Sequence, residues 1–287
     1  MSLVIVGTVP IKDLPLYIGT PKIEGNNLIL GEHRVPCTMG TAALFFAAHL
    51  TCQTLNVAPP IWVTAGDIGD GVGSRIIYQH LATNIETIKP KVLTLHYLLP
   101  ITLLAEKMML TIRKVKPTLI ADAGSMYVMK SIKAAKEFDL FTPDPGEMAF
   151  LADPQAIHPA YMQRYLFEFD TTNIPALIEQ AYKHGNVPRV LLVKGAKDYI
   201  AKDGRIIAVI DEPNIPTLEP IGGTGDTITG IVSALIYSGL EVEKAAIIAA
   251  KTNRLAGKLA NPTTATRVLE IALQIPKALL ECLIKIP

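Results

Sequence analysis

Cysteine is scarce in this chain: three occur in 287 residues, Cys37, Cys52 and Cys282, far apart and without a C-x-x-C pair. This argues against a disulfide framework or a thiolate zinc site, and a reducing cytoplasm is the expected location. Charge is scarce too. Charged residues make up 18% and the net charge is +1, which gives no basic stripe for nucleic acid and no attraction to an acidic membrane surface. Long apolar runs are missing: the stretch 92–110 is interrupted by His96, Pro100, Glu106 and Lys107 and reads as strand, turn and buried helix, not a membrane span. The opening residues lack a secretory leader pattern, so none is expected. The histidines His33, His49, His80, His96, His158 and His184 are scattered with no metal-ligand spacing, and no G-x-S-x-G elbow occurs.

What is present is apolar material in quantity, 49% of the chain, enough for a large core. Short continuous apolar runs alternate with helix-period segments. Strands are predicted at 3–6, 61–65, 92–95, 118–121, 140–142 and 190–193, and a hairpin at 199–201 and 206–210 around Lys202-Asp203-Gly204. Helices are predicted over 40–50, 72–82, 101–115, 126–138, 147–152 and 174–184, with more starting near Thr224, Val242, Thr264 and Ala278. Such alternation predicts an α/β fold, a mostly parallel sheet covered on both faces in one domain over 1–287, with ligands beyond the carboxyl ends of the strands. Residues 10–36, rich in Pro and Gly with a turn at Gly25-Asn26-Asn27, read as a small β excursion and candidate lid. Leu28, Ile29 and Leu30 there suit either a dimer contact or burial against the body.

One turn stands out. Gly222-Gly223-Thr224-Gly225-Asp226 opens directly onto the helical stripe Ile228, Ile231, Val232, Leu235 and Ile236. A helix start presents N–H groups and partial positive charge, a seat for an anion, with the Asp226 carboxylate beside it. A capping role for Asp226 in a plain connecting turn fits the same residues. The glycine cluster tips the balance, since three glycines suggest close backbone approach to a ligand.

Other strand ends carry polar or glycine clusters. Gly66–Ser74 fails the P-loop and calcium-loop patterns and reads as a structural turn. Asp122-Ala123-Gly124-Ser125 fits helix capping as well as a functional role. In Thr142-Pro143-Asp144-Pro145-Gly146-Glu147, Glu147 suits a helix cap or a carboxylate that orients water on a metal. In Lys194-Gly195-Ala196-Lys197-Asp198, Lys194 suits a phosphate or solvent, and Gly195 allows close backbone approach.

In this order the motifs resemble the ribokinase-like (PfkB-type carbohydrate kinase) superfamily. Gly222–Asp226 is similar to its Gly-x-Gly-Asp signature, whose backbone forms the anion hole and whose Asp is the base. In the C-terminal half the chain looks most like the ADP/ATP-dependent NAD(P)H-hydrate dehydratase branch, through Thr142–Glu147, Lys194–Ala196 and Gly223–Asp226. Asp144 departs from that branch, which carries His there to contact the hydrated nicotinamide. The beginning looks more like a sugar kinase, with Val4-Ile5-Val6-Gly7 and Gly66–Gly73, but Met39-Gly40-Thr41-Ala42-Ala43 replaces the kinases' sugar-binding pattern.

The resemblance implies a three-layer α/β/α fold and a nucleotide-dependent phosphoryl transfer. Asp226 is implied as base, and the N–H groups of Gly223, Thr224 and Gly225 as anion hole. ATP or ADP would lie along Lys194, Gly195, Ala196, Lys197 and Asp198 and meet Gly225. Mg²⁺ would bridge the phosphates, with Glu147 reaching it through water. Gly40, Thr41, Asp144 and Asp226 are implied at the acceptor. The leading expectation is a kinase acting on a sugar or other small-molecule hydroxyl. Two alternatives stand beside it, the hydrate dehydratase and a nucleotide-binding protein without chemistry.

Overall fold

The computed structural model describes residues 2–156 and 173–284, so His158 lies outside the described residues. In chain order the strands are β1 (Leu3–Val6), β2 (Tyr17–Gly19), β3 (Lys22–Glu24), β4 (Asn27–Leu30), β5 (His33–Pro36), β6 (Ile61–Thr64), β7 (Val92–Leu95), β8 (Thr118–Ala121), β9 (Leu140–Phe141), β10 (Val190–Val193), β11 (Asp198–Lys202) and β12 (Arg205–Ile210). The helices are α1 (Gly40–Thr54), α2 (Val72–Ile88), α3 (Thr102–Val115), α4 (Gly124–Ser131), α5 (Pro145–Ala152), α6 (Ile174–His184), α7 (Thr224–Tyr237), α8 (Val242–Leu259), α9 (Val268–Ala272) and α10 (Ile275–Ile284).

Nine strands form one sheet in the order β12-β11-β10-β9-β8-β7-β1-β6-β2. Its centre, β10 through β6, is parallel; β2 and the β11–β12 hairpin close the edges antiparallel. The continuous apolar strands follow from burial on both faces. Leu3 and Ile5 of β1 enter one core while Val4 and Val6 enter the other, and Val190 and Leu192 alternate with Leu191 and Val193 in the same way. Helices α1 and α7–α10 cover the first face, and α2–α6 the second. Among the described residues no helix is long and apolar enough to cross a membrane.

The expected hairpin forms, with Asp203 and Gly204 both at positive φ, as a two-residue hairpin turn requires. Residues 22–36 form a separate antiparallel sheet, β3-β4-β5, whose Leu28, Leu30 and Val35 are buried in the first core. Burial against the body therefore accounts for Leu28 and Leu30, one of the two readings these residues allowed.

Two helices differ from expectation. The helix expected over 126–138 ends at Ser131. Lys133 then adopts φ 59°, and a single 3₁₀ turn follows at 135–137. Good helix formers are overridden there by packing: Ala134, Ala135 and Phe138 are buried in the second core, and Glu137 is held by Arg113 at 2.8 Å. The helix expected from Thr264 starts at Val268. Thr266 Oγ1 accepts from Thr263 N–H at 2.9 Å, a local bond that competes with helix.

Candidate active site

The parallel strands deliver their next residues to one edge: Gly7 after β1, His96 after β7, Asp122 after β8, Thr142 after β9 and Lys194 after β10. The register Val6–Leu95–Ala121–Phe141 aligns the first four in a row. Above this row lies the start of α7. Gly223 occupies the N-cap at φ 95° and no side chain caps the helix, so its first-turn N–H groups remain directed at the cleft.

Asp226 sits in that first turn. Its Oδ2 accepts from the Gly40 N–H at 2.6 Å and its Oδ1 lies 3.1 Å from His96 Nε2. Burial alone would raise its carboxyl. The bond and charge of His96, the Lys194 ammonium and the Gly40 N–H outweigh burial and hold it below the ordinary carboxylate value. The glycines allow this approach of two distant segments: a Cβ at Gly222 would lie 2.8 Å from Met39 Cε, and one at Gly223 3.1 Å from Met39 Cα.

Lys194 is not a solvated lysine. Its Nζ donates to both oxygens of Asp122 at 2.8 and 2.9 Å, and Thr229 Oγ1 donates to Asp122 Oδ2 at 2.6 Å. Burial opposes the charge of Lys194, but Asp122, Glu147 and Asp226 together raise it above the ordinary lysine value. His96, Asp122 and Asp226 offer ligand atoms within 4.8 Å of one another. The His96–Asp226 hydrogen bond and the Lys194 ammonium join the trio into one hydrogen-bonded charge network.

The loop after β10 is clamped from below by Arg254 of α8. Its guanidinium donates to Asp198 Oδ2 at 2.7 Å and to the carbonyls of Gly195 and Ala196 at 2.9 Å. Asp198 is thus consumed within the protein; Gly195, Ala196 and Asp198 line the cleft. Lys197 does not, pointing outward to Asp211 at 3.6 Å. Asn253, also on α8, donates to the Thr224 carbonyl at 3.0 Å and accepts from Thr227 Oγ1 at 2.7 Å, pinning the turn before Asp226.

Asp144 and Glu147 form a reciprocal capping box on α5, Glu147 N–H donating to Asp144 Oδ1 at 2.7 Å and Asp144 N–H to Glu147 Oε2 at 2.8 Å. Both line the cleft. Although Glu147 keeps some surface open to it, burial pushes its carboxyl well up; Lys194 opposes this and Asp122 and Asp144 add to it. Gly40 meets Asp226 through its N–H, while the Thr41 hydroxyl turns inward to the Thr8 carbonyl and His96 Nδ1, both at 2.9 Å, and does not face an acceptor. Asp67 in the 66–74 turn accepts from Gly69, Gly71 and Ser74, as a structural turn requires. The cleft encloses about 660 Å³ between the 194–198 loop, the 222–226 turn, α5 and α8.

The sequence pattern does not mark His96, Arg254 or Asn253 as site residues, and it fits Asp122 equally to a cap. A signal existed for two of them: His96 and Asp122 each stand first after a parallel strand. Arg254 and Asn253 lie inside a regular amphipathic helix, where nothing local marks them.

The family model described as NAD(P)H-hydrate dehydratase matches residues 100–277. An uncharacterized protein of Methanocaldococcus jannaschii is 42% identical over 219 residues, 76% of this chain and 90% of that one. A bifunctional NAD(P)H-hydrate repair enzyme of Hyperthermus butylicus is 40% identical over 103 residues, 35% of this chain and 18% of that much longer protein. The fold is shared with the ADP/ATP-dependent NAD(P)H-hydrate dehydratase of Bacillus subtilis, co-crystallised with ATP/Mg²⁺ and soaked with CoA, at TM-score 0.61 and 15% identity over 98% of this chain and 91% of that one.

Proposed function

We propose that this chain, which belongs to the NAD(P)H-hydrate dehydratase family, uses ATP or ADP to dehydrate a hydrated nicotinamide dinucleotide. The observation that carries the reading is Asp226: an ionised carboxylate in the first turn of an uncapped helix, opening on the cleft. An acceptor hydroxyl placed there gives its proton to Asp226 as its oxygen bonds to the terminal phosphorus. The bond from that phosphorus to the leaving nucleotide breaks, and the N–H groups of Gly223, Thr224 and Gly225 receive the negative charge of the phosphoryl oxygens. Phosphate then departs with the C–O electron pair, the neighbouring ring C–H pair becomes the returning double bond, and its proton passes to the departing phosphate or to water.

The donor set fits a nucleotide accompanied by a divalent cation. Asp122 already offsets the Lys194 ammonium and Asp226 is ionised beside the pair, so polyphosphate would enter this cleft against a carboxylate charge. Mg²⁺ supplies the offsetting positive charge on the phosphates when bound, with Glu147 the carboxylate open to it through water. Gly195 and Ala196 present backbone to the nucleotide, held in shape by Arg254.

The test is incubation with hydrated NADH, ATP or ADP, and Mg²⁺. Recovery of the nicotinamide absorbance is expected, and its failure with both nucleotides would exclude the dehydratase. A second reading, a kinase of another hydroxyl acceptor, is favoured by Asp144, which puts a carboxylate where the dehydratase branch carries His; a stable phosphate ester as product would select it.

A further inference from the structure

Resting on the reading of Asp226 as the base, the geometry points to His96 as its positioning residue, part of a closed ring of contacts that aims the carboxylate at the cleft. Gly40 and Thr41, adjacent in sequence, hold Asp226 from both sides. The Gly40 N–H binds Oδ2 at 2.6 Å; Thr41 Oγ1 meets His96 Nδ1 at 2.9 Å, and His96 Nε2 meets Asp226 Oδ1 at 3.1 Å. Thr41 is itself tied to the Thr8 carbonyl at 2.9 Å. His96 is fully buried, with Tyr97 edge-on to its ring at 4.3 Å between centroids. Gly7 is part of the device. A Cβ there would lie 2.6 Å from Thr41 Oγ1 and 3.2 Å from His96 Cβ, so only glycine at the end of β1 leaves room for the pair.

Proton counting fixes the direction of the bond to Asp226. An ionised carboxylate only accepts, so His96 Nε2 must carry hydrogen. If the Thr41 hydroxyl gives its hydrogen to Thr8, Nδ1 carries one as well and the ring is a cation. If Thr41 gives it to Nδ1, the ring is neutral. Either way Nε2–H points at Asp226 Oδ1, leaving the outer lone pairs of the carboxylate for an acceptor hydroxyl. The other groups around Asp226 are Lys194 after β10, Asp122 after β8 (Oδ2 3.7 Å from His96 Nε2), Cys37 before α1 and Tyr97 after β7. Burial and the Asp226 charge push the Cys37 thiol up to about 12, and burial with the neighbouring carboxylates raises Tyr97, so neither carries charge near neutral pH.

The test reads Asp226 directly, by ¹³Cγ NMR titration of the whole protein, and does not depend on turnover. In His96→Phe the midpoint of Asp226 should rise by about one pH unit or more, since the donor to its carboxylate is removed. His96→Gln keeps an N–H at the reach of Nε2 and should return the midpoint toward the wild-type value. Where an acceptor turns over, the acidic limb of kcat should move with the midpoint while nucleotide Kd stays fixed. Coincident midpoints in wild type, His96→Gln and His96→Phe would overturn the proposal. So would a rise in His96→Phe that His96→Gln fails to reverse, the mark of general disruption. A reversible shift without turnover of hydrated NADH would count against the dehydratase and still support the positioning role.

Discussion

Lys194 and Asp122 form a buried pair against the 222–226 turn: Nζ lies 2.8 and 2.9 Å from the two carboxylate oxygens, and 3.6 Å from where a Cβ at Gly225 would stand. The lysine proposed to meet a terminal phosphoryl group is therefore already positioned and charged by the protein itself. Removing either partner strands the other's charge out of water. Lys194→Met should destabilise the fold by about 3–5 kcal/mol. The double substitution Lys194→Met/Asp122→Leu should cost less than the sum of the single changes, because no lone charge remains. Urea denaturation of the four proteins checks this; additive losses would mean that the two groups do not interact.

Asp226→Asn keeps the shape of the site and removes the proton acceptor. Turnover should fall about a hundred- to ten-thousand-fold, while calorimetric titration finds nucleotide affinity little changed. Full activity in the variant would remove Asp226 from the chemistry.

Arg254 makes a planar fork of contacts with Asp198 Oδ2 and the carbonyls of Gly195 and Ala196. A lysine cannot satisfy the same three acceptors in one plane. Arg254→Lys should loosen the 194–198 loop and weaken ATP binding by about tenfold or more, on the scale of a lost charge-assisted hydrogen bond. Unchanged affinity in titration calorimetry would show that the loop does not hold the nucleotide.

The mostly parallel sheet and the 194–198 loop at its edge were legible in the sequence because both follow from apolar strands ended by glycine or polar clusters, and the 222–226 turn was legible from its glycines opening onto a helical stripe. The network beneath Asp226 was not. His96 follows an unremarkable strand and is marked only by being the next residue in register. Thr41 was expected to face an acceptor, but its hydroxyl is drawn inward by His96 and the Thr8 carbonyl, partners 55 and 33 residues away in sequence. Lys197 looks like its neighbour Lys194, yet the strand direction sends one into the cleft and the other to Asp211. Local pattern identifies strand ends; tertiary pairing decides which of their polar groups the site uses.

Gly230, in the middle of α7, lies where that helix crosses α1. A Cβ there would stand 2.2 Å from the Leu44 carbonyl oxygen and 2.9 Å from the Ala48 backbone nitrogen. Neither is the end of a flexible side chain, so Gly230→Ala must separate the helices. About 3 kcal/mol of stability should be lost despite the better helix propensity of alanine. Gly225→Ala is the control: the atoms nearest its Cβ belong to the Lys194 side chain, at ordinary contact distance. It should fold normally, and a change in its denaturation midpoint as large as that of Gly230→Ala would refute the packing argument.

Lys130 gives the fold a pH dependence away from the site. Its Nζ donates to the carbonyls of Phe150 and of Asp153, at 2.6 Å for the latter, closing the end of α5. Burial pushes its ammonium down to about 8, with Asp153 opposing. In the unfolded chain a lysine titrates near ~10.4, so between these values the unfolded state binds more protons and stability rises with pH. The penalty on the charged form is fully present below pH ~8 and fades as pH climbs through that window. The stability of wild type minus that of Lys130→Met should therefore increase from pH 7 to pH 10 in chemical denaturation, when other lysines and tyrosines are common to both proteins. A flat difference would mean that the ammonium is no more costly inside the fold than outside it.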